Sequence, residues 1–153
     1  MSAKGDIAVE LFHKGFNCAQ SVAGAFCDEL GLDFESAVKL VSGFGGGFGR
    51  MREVCGAVSG GVMVLSSVFG YSDTSDPEAK KREYAIIQNF MNAFREKTGS
   101  YICKELLEGG FNSGHAPEET SERTEEYYEK RPCSDLTRIS AELVEEIIRD
   151  TAE

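Results

Sequence analysis

The stretch Cys55-Gly56-Ala57-Val58-Ser59-Gly60-Gly61-Val62-Met63-Val64-Leu65-Ser66-Ser67-Val68-Phe69 decides the fold. It reads as one helix, small-sided at its start and apolar towards its end, with Gly70 as the stop. Gly56 and Gly60 lie four residues apart and leave one helix face open to close packing against another backbone. No charged residue occurs from Val54 to Ser72, so a membrane span has to be considered. Four glycines and four serines interrupt that interval, whereas a spanning helix wants about 20 predominantly apolar residues. The expectation is a buried central helix.

Helical spacing extends to both sides of it. Ile7, Leu11 and Phe12 form one stripe between Lys4 and Lys14, and Gly15 ends that helix. Asn17 caps a second helix, expected to run from Cys18 through Val22, Ala25 and Phe26 to Leu30. Asp33 caps a short third one reaching Val41. Beyond the central helix, Asp76-Pro77-Glu78 starts a helix that continues to about Lys97, and Gly99 closes it. A short helical piece over Tyr101–Leu107 carries Cys103, and the Leu136, Ile139, Leu143, Ile147 stripe follows Cys133. No convincing alternating strand appears. The chain is expected to be all-α: one domain over residues 1–153, a compact bundle of about six helices with a glycine-rich loop before the central one. Residues 118–130 hold six acids and two basic residues, so a polar, acidic, mobile loop is expected over 110–131.

Composition narrows the function. The 153 residues, 41% hydrophobic and 27% charged, suit an ordinary globular protein. A net charge of −10 repels phosphate backbones and anionic lipid, so neither nucleic acid nor a membrane surface is an expected partner. Met1-Ser2-Ala3-Lys4-Gly5-Asp6 has no basic region leading into an apolar stretch, and the expected location is cytoplasmic. His13 and His115 sit apart in polar settings and read as surface residues.

The glycine loop Ser42-Gly43-Phe44-Gly45-Gly46-Gly47-Phe48-Gly49-Arg50 invites a phosphate-binding reading, which fails. It lacks Gly-x-x-x-x-Gly-Lys-Ser/Thr, its glycines miss the dinucleotide-binding register, and no strand precedes it. Closure of its backbone around the start of the Cys55 helix is the better expectation.

The chemistry therefore falls to the thiols. Five cysteines in a chain of cytoplasmic type point to redox chemistry, metal binding or packing rather than structural disulfides. Cys18, Cys55, Cys103 and Cys133 each lie at or near the start of a helix, where free N–H groups and partial positive charge favour the thiolate. Arg50 and Arg52 add cationic help near Cys55, and Glu53 opposes it. The four are separated by 37, 48 and 30 residues with no Cys-x-x-Cys, so any site must be assembled by the fold. Cys27 lies off the Cys18 face and reads as packing.

The pieces Gly15-Phe16-Asn17-Cys18-Ala19-Gln20, Gly43 to Arg50, Cys55-Gly56-Ala57-Val58-Ser59-Gly60, Cys103-Lys104-Glu105-Leu106-Leu107 and Cys133 occur in that order. In this the chain resembles the C_GCAxxG_C_C family, whose name describes redox activity carried by four cysteines. The resemblance covers about residues 5–150 and implies a helical, cytoplasmic protein in which Cys18, Cys55, Cys103 and Cys133 act together. Two mechanisms fit. Cys55 attacks a disulfide and another of the four resolves it, or the four thiolates hold an iron–sulfur cluster. In the cluster case, backbone N–H groups around Gly45, Gly46, Gly47 and Gly56 are the expected cofactor contacts. Rival readings are a four-thiolate zinc site without electron transfer and a helical binding module with inert cysteines. The expected partner is a redox protein; a homodimer has no support in the sequence. Oxidoreductase and electron carrier both stay open.

Overall fold

A computed structural model describes residues 3–107 and 132–151. The described residues are helical and form no strand, as expected. The acidic segment 110–131 and His115 lie outside them. In chain order the helices are α1 (Ala3–His13), α2 (Cys18–Gly24), α3 (Cys27–Leu30), α4 (Phe34–Leu40), α5 (Gly45–Phe48), α6 (Gly56–Phe69), α7 (Pro77–Thr98), α8 (Cys103–Leu106) and α9 (Cys133–Thr151). The long ones account for the expected bundle; the additional short ones are single turns flanking the thiols and the glycine loop.

The central helix is α6. Its first six residues are buried, and it packs against α2, α7 and α9. Gly60 sits so close to α2 that a Cβ there would lie 2.8 Å from the Ala19 carbonyl oxygen, so only a bare backbone admits this crossing. On the opposite side, the buried Ser140 hydroxyl of α9 donates to the Ala57 carbonyl at 2.6 Å. Val22, Phe26, Val58, Val64, Leu65, Phe90, Phe94 and Val144 fill the core between these helices, each without exposed surface. Each such side chain contributes about 1.5–3 kcal/mol by leaving water.

The helix expected to run unbroken from Cys18 to Leu30 is instead split in two. Phe26 leaves helical geometry (φ −122°, ψ 35°), which separates α2 from α3. The split turns Phe26 fully into the core, and Lys4 Nζ donates to the Ala25 carbonyl at 2.9 Å while standing 5.0 Å from the Phe26 ring centre. Periodicity alone does not reveal such a break, because Ala25 and Phe26 are apolar whether or not the helix is continuous.

The ends of the described chain meet. The first and last helices, α1 and α9, pack along each other, and Arg138 donates to Asp6 at 2.7 Å across that seam. This brings Cys133, at the first position of α9, to the same end of the bundle as Cys18.

Candidate functional site

Each of the four cysteines is fixed by the start of a helix. Cys18 follows Asn17, whose side chain accepts from the Gln20 amide at 2.9 Å while Gln20 Oε1 accepts from the Asn17 amide at 3.1 Å. That reciprocal box satisfies two amides at the start of α2. The Asn17 side chain also donates to the Ser42 carbonyl at 3.0 Å, tying the Cys18 turn to the glycine loop. Cys55 is the N-cap of α6, and Cys103 and Cys133 open α8 and α9.

A single antiparallel bridge, Val54 with Ile102, aligns two of these starts. The Cys55 amide donates to the Tyr101 carbonyl at 2.9 Å, and the Cys103 amide to the Glu53 carbonyl at 2.6 Å. Cys55 thus stands opposite Tyr101, and Cys103 is its diagonal neighbour on the same face of the ladder. The glycine loop packs beneath. Gly47 has φ +75°, and a Cβ on it would lie 2.7 Å from the Glu53 amide nitrogen and 2.8 Å from Cys103 Cβ. Gly56 is less tightly confined, with the Ala19 amide nitrogen 3.2 Å and Cys18 Cβ 3.4 Å from where its own Cβ would be. Both glycines act by letting backbones close in around the thiols.

This closeness makes a testable difference between neighbouring glycines. Gly47→Ala adds left-handed strain of about 1–2 kcal/mol to overpacking of about 1–3 kcal/mol. Gly49→Ala, at φ +61° with nothing within 4 Å of its Cβ, adds only the strain. Urea denaturation is expected to show Gly47→Ala as the more destabilised of the two; equal midpoints would overturn the close-packing account.

Cys18, Cys55, Cys103 and Cys133 line one cavity of about 60 Å³, together with Phe12, Asn17, Gly46, Arg52, Gly56, Leu106, Leu107 and Leu136. The structure thereby brings together the four cysteines singled out from the sequence. Of the four glycines expected at a cofactor, Gly46 and Gly56 line this cavity; Gly45 and Gly47 do not, because they pack against Asn17 and against the Cys103 segment. Cys27 is outside it. Its half-buried thiol donates to the Gly24 carbonyl at 3.3 Å, which suits the packing role expected of it. His13 is exposed, as expected.

Electrostatics correct one expectation. The Ala57 and Val58 amides at the start of α6 do favour a Cys55 thiolate, but burial outweighs them and pushes the thiol up to about 12. Cys55 is 3% exposed, so it is neither ionised at neutral pH nor open to attack. The Cys18 thiol is also raised well above the ordinary range. The main cause is its hydrogen bond with the Cys133 thiol, followed by burial and by the proximity of Cys133 and Cys55. The Thr137 hydroxyl, buried and without a conventional partner, pulls the other way. Thr137 lies one turn beyond Cys133 on α9, so helical spacing from Cys133 was the sequence signal that could have found it.

Arg52 serves a different sulfur from the one its sequence position suggested. Its Nη1 donates to Cys103 Sγ at 3.5 Å, with the Arg52 backbone at φ +64°. Phe48 and Arg50 also have positive φ, at 65° and 67°, so the loop between Gly45 and Glu53 is held in conformations that non-glycine residues rarely adopt.

The fit to a metal or cluster can be read from the donors. Among the described residues, no group of three or more Cys, His, Asp or Glu side chains is arranged to hold a metal ion. The four thiols share a cavity but present no preformed cage for zinc or a cluster, both of which draw on four thiolates about one centre. Among the described residues, no helix is long and apolar enough to cross a membrane.

The family described as "Putative redox-active protein (C_GCAxxG_C_C)" matches residues 16–147. No curated protein and no solved structure matches the chain.

Proposed function

The chain belongs to the C_GCAxxG_C_C family, and we propose that its redox chemistry is thiol–disulfide exchange, with Cys18 and Cys133 as one disulfide-forming pair and Cys55 and Cys103 as a second. The observation that carries this reading is that the Cys18 and Cys133 thiols, from α2 and α9, line one cavity of about 60 Å³, where the hydrogen bond of Cys133 raises the Cys18 thiol. Two thiols facing one cavity this small need little backbone movement to form a bond. Oxidation joins the two sulfurs and releases two protons, and the two electrons pass to a partner disulfide, which becomes two thiols. Phe12, Leu106 and Leu136 supply apolar walls to the cavity that the four sulfurs share. The acceptor is a protein or small disulfide in the cytoplasm.

The test is redox equilibration across a thiol/disulfide buffer series, alkylation of the remaining thiols and peptide mapping. A Cys18–Cys133 linked peptide with a defined midpoint is expected, abolished in Cys18→Ser and in Cys133→Ser and retained in Cys27→Ser. Anaerobic purification with absorbance and elemental analysis is the companion measurement. Colourless protein without stoichiometric metal fits the proposal; bound iron with sulfide, or one zinc per chain, would overturn it in favour of a four-thiolate metal centre.

A further inference from the structure

We propose that Arg52 is a catalytic residue that commits the first attack to Cys103 and directs it towards disulfides carrying negative charge. The inference rests on the thiol–disulfide reading above and assigns its entry point and substrate class.

The geometry sets exposure against electrostatics. Cys18 and Cys133 are partly exposed, whereas Cys103 is 9% exposed. Exposure alone therefore places the first reaction on Cys18 or Cys133. Cys103, however, has a guanidinium against its sulfur, delivered by a backbone that adopts an unfavourable conformation to do so. Gly46, whose φ of +69° and missing side chain leave room for Arg50 and Arg52, sits directly behind that guanidinium. The loop is also anchored to the Cys103 segment, since the Lys104 amide donates to the Arg52 carbonyl at 3.3 Å and the Cys103 amide to the Glu53 carbonyl. Arg52 and Cys103 are thus held as one unit.

A guanidinium here acts twice. It favours the thiolate of Cys103, the form of the sulfur that attacks. It also attracts a carboxylate-bearing disulfide into a site on a protein whose net charge of −10 otherwise repels it. In the step itself, Cys103 gives up its proton, its sulfur bonds to one sulfur of the substrate disulfide, the substrate S–S bond breaks, and the other half leaves with the electron pair and takes up that proton. Cys55, on the same ladder face, then attacks the Cys103 sulfur of the mixed disulfide. The second half leaves as a thiolate and accepts the Cys55 proton. The protein dithiol has lost two electrons and the substrate disulfide has become two thiols.

The experiment uses the reduced full-length protein and two probes, anionic dithiobis-nitrobenzoate and neutral dithiodipyridine, at sub-stoichiometric amounts with acid quench and mass mapping. Cys55→Ser traps the mixed disulfide. The first nitrobenzoate adduct is expected on Cys103, and the anionic-to-neutral rate ratio is expected to fall roughly tenfold in Arg52→Asn and to recover in Arg52→Lys. Asparagine tolerates positive φ, so Arg52→Asn removes the cation without adding backbone strain and should melt no lower than the parent. A first adduct on Cys18 or Cys133, or an unchanged ratio in Arg52→Asn, overturns the assignment. The wild-type mapping decides it even without the variants. A protein that forms no disulfide in the equilibration series would overturn the underlying reading instead, so the two failures are distinguishable.

Discussion

Oxidised protein is expected to resist unfolding by about 4–5 kcal/mol more than reduced protein. Cys18 and Cys133 are 115 residues apart, so a bond between them closes most of the chain into a loop and removes that much conformational freedom from the unfolded state. Both thiols already line one small cavity, which keeps the movement needed to join them short. The staple joins α2 to α9, which already pack on each other and on α1, so it reinforces contacts that exist in the reduced protein. Urea midpoints of the reduced and oxidised forms, measured at one pH, give the difference directly. In Cys18→Ser this increment should be lost, leaving only what a Cys55–Cys103 bond supplies; a redox-independent midpoint in the parent would show that neither pair closes.

Alkaline pH is expected to destabilise the reduced protein through Cys55. An unfolded thiol ionises around its ordinary value of 9.0, whereas the buried one holds its proton to about 12. Between those two values the folded state binds the extra proton, so stability falls as pH rises; below pH 9 nothing is lost. The slope is about 1.4 kcal/mol per pH unit, or about 4 kcal/mol across the whole interval. Cys18, also raised, adds a loss of the same sign. The comparison is with Cys55→Ala, which removes this thiol and leaves every other side chain in place. Denaturation midpoints from about pH 8 to about pH 11 should fall more steeply for the parent, and parallel slopes would refute a proton held on Cys55.

Most of the scaffold was legible because it is written in local chemistry. Asn17, Asp33 and Asp76 each cap the helix that follows through a side chain accepting an amide, and Gly99 closes α7 in the left-handed conformation. Those signals lie within a single helical turn of the boundary they set. The helix-start positions of Cys18, Cys55, Cys103 and Cys133 were legible for the same reason. What sequence spacing did not carry was the ionisation of those thiols. A helix start is a local feature that favours the thiolate, but burial is a property of the whole packing, and at Cys55 burial prevails. The pairings were hidden likewise. The bridge between Val54 and Ile102 that lines up Cys55 with Cys103 is one residue long and has no alternating pattern to announce it. Arg52 was recognised as a nearby cation, yet its target could be read only after the turn at Phe48–Arg52 had redirected it from Cys55 towards Cys103.

The seam between α1 and α9 has a consequence for how the protein is made. Of the described elements, α9 leaves the ribosome last, and it brings Cys133. When Cys103 emerges, three thiols of the set are already in the cell while the fourth is 30 residues behind. At about 5–20 residues per second that gap lasts on the order of seconds. During it Cys18 lacks the thiol it contacts in the finished fold, and α1 lacks the helix that covers it. A nascent chain therefore passes through a stage in which Cys18, Cys55 and Cys103 are present without Cys133, and the arrival of α9 brings that stage to an end.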